Sequence, residues 1–308
     1  MAPLIEARGV YKSFGAVQAL KGFNLAIRGN EIYGLVGPDG AGKTTAVRLL
    51  AGVMFPDEGE IFADGYSMER QAEQARGRIG YLSQRFSLYD ELTVMENVRF
   101  FAEVRGLSPS EWKARTLETL TFVGLEPFVD RQAAHLSGGM KQKLGLAAAL
   151  VHQPRILLLD EPTRGVDPVT RQDFWQLIIR LVNEEGVAVL ITTTYMDEAS
   201  RCTRVGFLQT GQMRLESPPD ELRKRLEGQV LELLGEPLPL LRRLAAADPD
   251  IEAAHAFGDR LHLRLRPGTS TQVISRLEQE IPAMGGRITR LRPIQPQLED
   301  VFISLMEV

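Results

Sequence analysis

Between Gly37 and Thr44 the chain reads GPDGAGKT, a glycine-spaced segment that ends in a lysine and a hydroxyl residue. An apolar run, IYGLVG, precedes it and a helical pattern follows it. In the order G-x-x-x-x-G-K-[ST], such residues let backbone N–H groups converge on phosphate oxygens without side chains in the way, and the helix N-terminus adds unpaired donors and a favourable dipole. Gly37, Pro38, Asp39, Gly40, Ala41, Gly42, Lys43, Thr44 and the following Thr45 are therefore the expected phosphate-binding set. Lys43 is expected to reach the β- and γ-phosphates, and Thr44 to offer its hydroxyl to Mg²⁺. A dinucleotide-binding fold fits less well, because its G-x-G-x-x-G fingerprint does not call for the Lys-Thr pair.

Downstream, ILLLDEP (Ile156–Pro162) puts two carboxylates at the carboxyl end of a buried strand, the edge where ligands collect in open α/β sheets. Successive strand side chains point to opposite faces, so Asp160 and Glu161 should divide the work. Asp160 is expected at Mg²⁺, directly or through water, and Glu161 at an attacking water. A second anion-binding device lies at LSGGMKQKL (Leu136–Leu144), where Ser137, Gly138 and Gly139 precede a helix whose first turn carries Lys141 and Lys143. One nucleotide needs one phosphate loop. The second device raises the idea that it serves a nucleotide held by another subunit.

These segments need elements to hold them. Ile32–Gly37, Ile79–Ser83, Ile156–Asp160 and Val187–Thr192 are short apolar runs suited to strands buried on both faces. Helical patterns at Thr44–Ala51, Val94–Val104, Pro109–Val123, Lys141–Val151 and Thr170–Val182 lie between them or follow the loop. The alternation predicts an α/β layered domain with a largely parallel sheet over residues 1–220, with a mostly helical subdomain inserted at about 86–135. SPPDEL (Ser217–Leu222) reads as a turn entering a helix, and the pattern then changes. Over 221–308 the order is strand, helix, a hairpin turning at Gly258-Asp259, helix, strand, helix, which predicts a small ferredoxin-like α+β module.

The chain has 308 residues, 44% of them hydrophobic and 25% charged, which excludes global disorder. Its net charge of −4 argues against a dedicated nucleic-acid binder. One cysteine, Cys202, excludes an intramolecular disulfide and a thiolate-cluster metal site, and it fits a reducing compartment. No apolar run approaches the roughly 18 residues of a spanning helix, and the N-terminal stretch MAPLIEARGVYK lacks a signal-peptide core. A cytoplasmic location is expected, with any membrane association arising through a partner.

Over about residues 4–215, and in this order, the segments resemble the nucleotide-binding subunits of ATP-binding-cassette (ABC) transporters. The resemblance implies a P-loop NTPase cassette that binds ATP and Mg²⁺ and hydrolyses ATP. It places Phe14 of YKSFG against adenine, and gives Gln84, ending IGYLSQ, the sensing of Mg²⁺ and of the membrane partner. LSGGM matches the signature, with Met140 where many members have glutamine, and Asp167 of TRGVDP matches the loop that communicates across the dimer. In the family two subunits pack head to tail, with each ATP between one phosphate loop and the opposite signature. The partners implied are an integral-membrane permease and a second nucleotide-binding domain, identical or different, at the inner face of the cell membrane. The ending QLEDVFISL resembles the subgroup paired with ABC-2 type export permeases, often drug or polysaccharide exporters. One position departs from the pattern: in TTTYMDEA, Thr194 stands where the family has the histidine that contacts the γ-phosphate. Threonine is shorter and neutral, so the site is expected to bind ATP and to turn over slowly. His135, His152, His255 and His262 have no assignable role there, and His262, in an alternating strand, reads as structural. The alternatives are a soluble cassette ATPase acting on ribosomes or DNA, and a non-hydrolysing nucleotide switch.

Overall fold

The structure, a computed structural model, describes residues 2–84 and 88–306, and the chain divides after Glu216 into two compact units. In the first unit, β1 (Ile5–Phe14) and β2 (Val17–Ile27) pair antiparallel, and β3 (Ile32–Val36) follows. The phosphate-loop segment leads from β3 into α1 (Lys43–Leu50); β4 (Glu58–Ala63), β5 (Tyr66–Ser67), α2 (Ala72–Gly77) and β6 (Ile79–Leu82) come next. Helices α3 (Val94–Val104) and α4 (Trp112–Val123) lie between β6 and α5 (Gly138–Leu150). The unit ends with β7 (Ile156–Asp160), α6 (Pro168–Glu185), β8 (Ala188–Thr193), the short α7 (Met196–Ala199), β9 (Arg204–Gln209) and β10 (Gln212–Ser217).

Two sheets result, ordered β2-β1-β4-β5 and β10-β9-β3-β8-β7-β6. In the larger one β9, β3, β8, β7 and β6 run parallel to one another. Every residue of β3, β7 and β8 is buried, as a parallel strand covered on both faces requires. The four apolar runs read from the sequence are these strands and β6, with ends shifted by a residue. The antiparallel sheet is not part of the expected alternation. Its strands mix exposed and buried positions, and register shifts in β1 break the period of two. Helix ends follow local chemistry. Thr93 and Glu96 form a reciprocal capping box on α3, and α6 runs from an Asp167 cap with Pro168 at its first position to Gly186 in the left-handed conformation.

The second unit contains α8 (Pro219–Lys224), β11 (Val230–Glu236), α9 (Leu238–Ala247), β12 (Ile251–Phe257), β13 (Arg260–Leu265), α10 (Ser270–Ala283), β14 (Arg287–Pro293) and α11 (Leu298–Met306). The sheet order β12-β13-β11-β14, all antiparallel, is the ferredoxin-like arrangement. Alternate residues Leu231, Leu233, Leu261, Leu263 and Leu265 pack with Leu241 and Ala245 of α9 and with Val273, Leu277 and Ile281 of α10. The other face carries polar pairs. His262 Nδ1 lies 2.9 Å from Asp300 Oδ1 of α11, and buried Glu232 is met by Arg260 at 2.9 Å and Arg292 at 3.2 Å. His262 is thus a structural histidine, held inside this unit.

In the first unit, His152 lies at the turn after α5, with Nε2 3.1 Å from the Ile79 carbonyl and Nδ1 buried without a partner. Burial, aided by nearby Arg105, depresses its pKa from 6.5 to about 4, against the raising effect of the Ile79 bond. The unfolded chain therefore binds a proton that the folded one refuses between those values, and stability is lost as pH falls through this window. His152→Gln should flatten urea-unfolding stability between pH 6.5 and 4, where the wild type loses on the order of 2–3 kcal/mol.

Candidate nucleotide site

The loop after β3 can only be built from the residues it has. A Cβ on Gly37 would lie 2.1 Å from the Leu208 carbonyl oxygen, and one on Gly42, at φ 108°, 2.5 Å from that of Ala19. Gly42 caps α1 without a side-chain hydrogen bond, leaving the first-turn N–H groups available to an anion. Lys43 is buried and curls back, donating to the carbonyls of Gly37 at 2.7 Å and Pro38 at 3.0 Å, with its Nζ 3.8 Å from Glu161 Oε1. Burial lowers its pKa, opposed by Glu161, Asp39 and Asp160. A phosphate arriving here gives the lysine a better partner than the two loop carbonyls.

Pairing of Asp160 with Thr192 across β7 and β8 sets the second half of the site. Asp160 Oδ1 accepts from Thr192 Oγ1 at 2.8 Å and from Thr44 Oγ1 at 3.2 Å, whereas Oδ2 is buried with no hydrogen-bond partner. Burial raises the pKa of this carboxyl, and the two hydroxyl bonds work against that. The orphaned oxygen beside a helix-start hydroxyl fits a hard divalent cation that takes one or two protein oxygens and the rest from phosphate and water. Among the described residues no group of three or more His, Cys, Asp or Glu side chains could hold a metal ion by itself.

Glu161 sits just beyond the strand at φ 48°, a conformation costly for a residue with a Cβ. Its N–H donates to Thr192 Oγ1 at 2.8 Å. The turn aims the carboxylate away from Asp160's partners: Glu161 Oε2 accepts from Gln84 Nε2 at 2.9 Å and from Arg164 Nη1 at 2.7 Å. The two carboxylates thus face different partners, as expected from their positions in the chain.

Asp39 to Thr45, Gln84 and Glu161 line one cleft of about 450 Å³, together with Val17, Gln18, Ala19 and Lys21 of β2, Arg164, and the Thr210-Gly211 turn. Phe14 stands half exposed at the end of β1, paired with Val17 at the cleft edge. Thr194 is exposed and lines a small recess with Glu161, Thr163, Arg164, Thr193 and Tyr195. Its loop is braced from below: buried Glu198 accepts from Thr163 Oγ1 at 2.5 Å and Thr193 Oγ1 at 2.6 Å.

Ser137, Gly138 and Gly139 are not in this cleft. Ser137 caps α5, accepting from the Met140 N–H at 3.3 Å, and a Cβ on Gly139 would meet Thr170 Cγ2 at 2.1 Å. The helix starts at Gly138, three residues earlier than expected, so Lys141 and Lys143 fall past its first residues, and both are engaged, Lys141 with Asp90 at 2.8 Å and Lys143 with Asp173 at 3.6 Å. Asp167 accepts from the N–H groups of Val169 and Thr170 as the cap of α6. Sequence reasoning missed Thr192 and Arg164. Thr192 could have been found from its place at the end of an apolar run beside the Asp160 strand, but only the register puts it on both backbone and carboxylate.

A strand, a glycine loop, a helix start, and a carboxylate strand beside it define a P-loop nucleotide-binding cassette. The family model described as ABC transporter matches residues 20–164. The Nod factor export ATP-binding protein I of Ralstonia nicotianae is 34% identical over 305 residues, 98% of this chain and 94% of that protein. A probable multidrug ABC transporter ATP-binding protein, YbhF of Escherichia coli, is 40% identical over 220 residues, 71% of this chain, and the match spans 38% of YbhF. Among solved structures, the dimeric bacterial ABC transporter cassette MJ0796 superposes with a TM-score of 0.64 at 30% identity, covering 70% of this chain and 98% of that one. The chain belongs to the ATP-binding proteins of ABC transporters, and it is an ATPase of that class.

Two substitutions separate the halves of the site. Lys43→Ala should weaken ATP and ADP binding in equilibrium dialysis by about 10²-fold, from the loss of a buried charge-assisted contact. Asp160→Asn removes a charge that burial disfavours, so the nucleotide-free protein should melt about 2–4 °C higher for each ~1 kcal/mol relieved. The same variant should lose the Mg²⁺ dependence of nucleotide binding; an unchanged Mg²⁺ dependence would refute the metal assignment.

Proposed function

We propose that this chain is the ATP-binding subunit of an exporter, in which Mg-ATP closes two cassettes on each other and the closure drives a membrane permease. The observation that carries this reading is the split between the two anion devices. The phosphate loop from Asp39 through Thr44, with Gln84 and Glu161, lines one cleft, and Asp160 bonds to Thr44 beside it, while Ser137 and Gly138 present an exposed helix start outside it. Each copy then offers one half of a composite site and needs a second cassette to complete it, as a head-to-tail pair supplies. Mg²⁺ would be held by Thr44 and Asp160, with Gln84 near it. Phe14 would stack on adenine, a contact worth roughly 1–3 kcal/mol for base–aromatic pairs. Asp167, exposed at the start of α6, would lie at the junction of the two subunits. Among the described residues no helix is long and apolar enough to cross a membrane, so attachment at the inner face of the cell membrane would come through the permease. The near full-length match to a Nod factor export subunit favours this over an ATPase acting on ribosomes or DNA.

The permease contact would fall after Gln84. Of the apolar residues there, Phe86 lies outside the described residues. Tyr89 is half exposed and meets Phe100, itself partly exposed, edge to face with ring centroids 4.8 Å apart. Buried Asn97 holds this loop, accepting from the Tyr89 N–H and donating to the carbonyls of Tyr89, Leu92 and Thr93. Tyr89→Glu should abolish transport in reconstituted membranes while leaving ATP affinity intact; joint loss of ATP binding would place Tyr89 in the fold instead.

Glu161→Gln should keep nucleotide binding and trap a closed dimer with Mg-ATP, because a carboxamide is a poor base. Light scattering reads the outcome. A variant that stays monomeric with Mg-ATP, even with a second cassette supplied, defeats the composite-site reading.

A further inference from the structure

The catalytic cleft contains a cation that neither the phosphate loop nor the metal pair accounts for. Arg164 follows Glu161 in a tight turn, its N–H donating to the Glu161 carbonyl at 3.2 Å, with Gly165 next at φ 76°. That turn brings the guanidinium over the carboxylate, with Nη1 2.7 Å from Glu161 Oε2. The carboxylate is buried while the arginine side chain is 54% exposed. Glu161 therefore takes one of the guanidinium's five N–H groups. The residue stands at the wall shared by the nucleotide cleft and the recess of Thr194, since Arg164 lines both. The charge also acts on Asp39 in the phosphate loop.

Asp39 and Glu161 line a cleft meant for a polyphosphate, with the cations Lys21, Lys43 and Arg164, and of these Lys43 and Arg164 flank the Glu161 carboxylate. Lys43 is a buried point charge anchored at the start of α1. Arg164 lies on the far side of Glu161, where a phosphoryl group reaching past the loop toward the carboxylate would meet it. A planar fork that already holds a carboxylate on one edge suits a phosphate on another.

We propose that Arg164 adds a contact to the terminal phosphate of ATP beside that of Lys43, bridging the phosphate to Glu161 and supplying the positive charge that Thr194 cannot. This rests on the nucleotide reading of the cleft. ADP lacks the terminal phosphate, so the arginine distinguishes ATP from ADP, and the loop after Glu161 carries the discrimination rather than the loop after β8.

Calorimetric titration of the full chain with Mg-ADP and with Mg-AMP-PNP, a triphosphate analogue that is not hydrolysed, tests it. Arg164→Ala should weaken AMP-PNP binding on the order of 10-fold while ADP affinity stays within about 2-fold, from loss of one charge-assisted phosphate contact. Retained ADP binding also shows that the variant is folded. Arg164→Lys, which keeps the charge without the fork, should fall between the wild type and Arg164→Ala. An unchanged AMP-PNP affinity, an equal loss for both nucleotides, a gain in affinity, or a lysine variant as weak as alanine each overturns the role of Arg164. A wild-type chain that binds neither nucleotide instead overturns the nucleotide site itself, and this proposal with it.

Discussion

Asp160 carries its carboxylate to the end of a strand in which every residue is buried, and one of its oxygens has no hydrogen-bond partner. Leaving a buried acceptor unpaired costs about 1–3 kcal/mol, and the surrounding elements are arranged around that position. Thr44 must come from the first turn of α1 and Thr192 from the last register pair of β7 with β8. A slip of one residue between β7 and β8 would turn Thr192 to the opposite face, removing the hydroxyl from Asp160 and from the Glu161 N–H together. The backbone of Glu161, in a conformation that side-chain-bearing residues disfavour, is held by that same hydroxyl. Strain and a desolvated charge thus sit on consecutive residues, where a rigid scaffold can keep both ready for a cation and a phosphate.

Two helix starts face anions in different ways. At α1 the cap is a left-handed glycine with no side-chain acceptor, so it uses up none of the first-turn N–H groups, and the lysine at the first position donates to loop carbonyls with Glu161 close by. At α5 the serine cap already satisfies one donor, and the lysines are drawn off by Asp90 and Asp173. The first would suit an anion. The second is a surface, with an exposed serine and glycine whose use depends on what approaches them.

The ferredoxin-like unit solves a separate problem. One face of its sheet is closed by α9 and α10 through alternating leucines. The polar face would leave Glu232 and His262 costly to bury, and each is partnered inside the unit, Glu232 by arginines and His262 by a hydrogen bond with Asp300. The LEDVF segment, whose likeness pointed to an export subgroup, is thereby also the helix that satisfies a buried histidine.

By itself the sequence determined the elements whose signal is local. Continuous apolar runs marked the buried parallel strands, glycine spacing marked the phosphate loop, and the Gly258-Asp259 turn between alternating runs marked the second unit's hairpin. Lys43, Thr44, Asp160 and Glu161 were legible because each lies at a fixed offset from such a run. The tertiary structure decided what no offset encodes. Thr192 acquires its role from strand pairing across 32 positions in the chain, and the N-terminal antiparallel sheet from bulged strands that carry no clean period. Arg164 lies only three residues from Glu161, yet its place is set by a left-handed turn that aims a guanidinium into the cleft. Sequence spacing reports which groups are near along the chain. Backbone direction, which depends on long-range packing, decides which of them share a site.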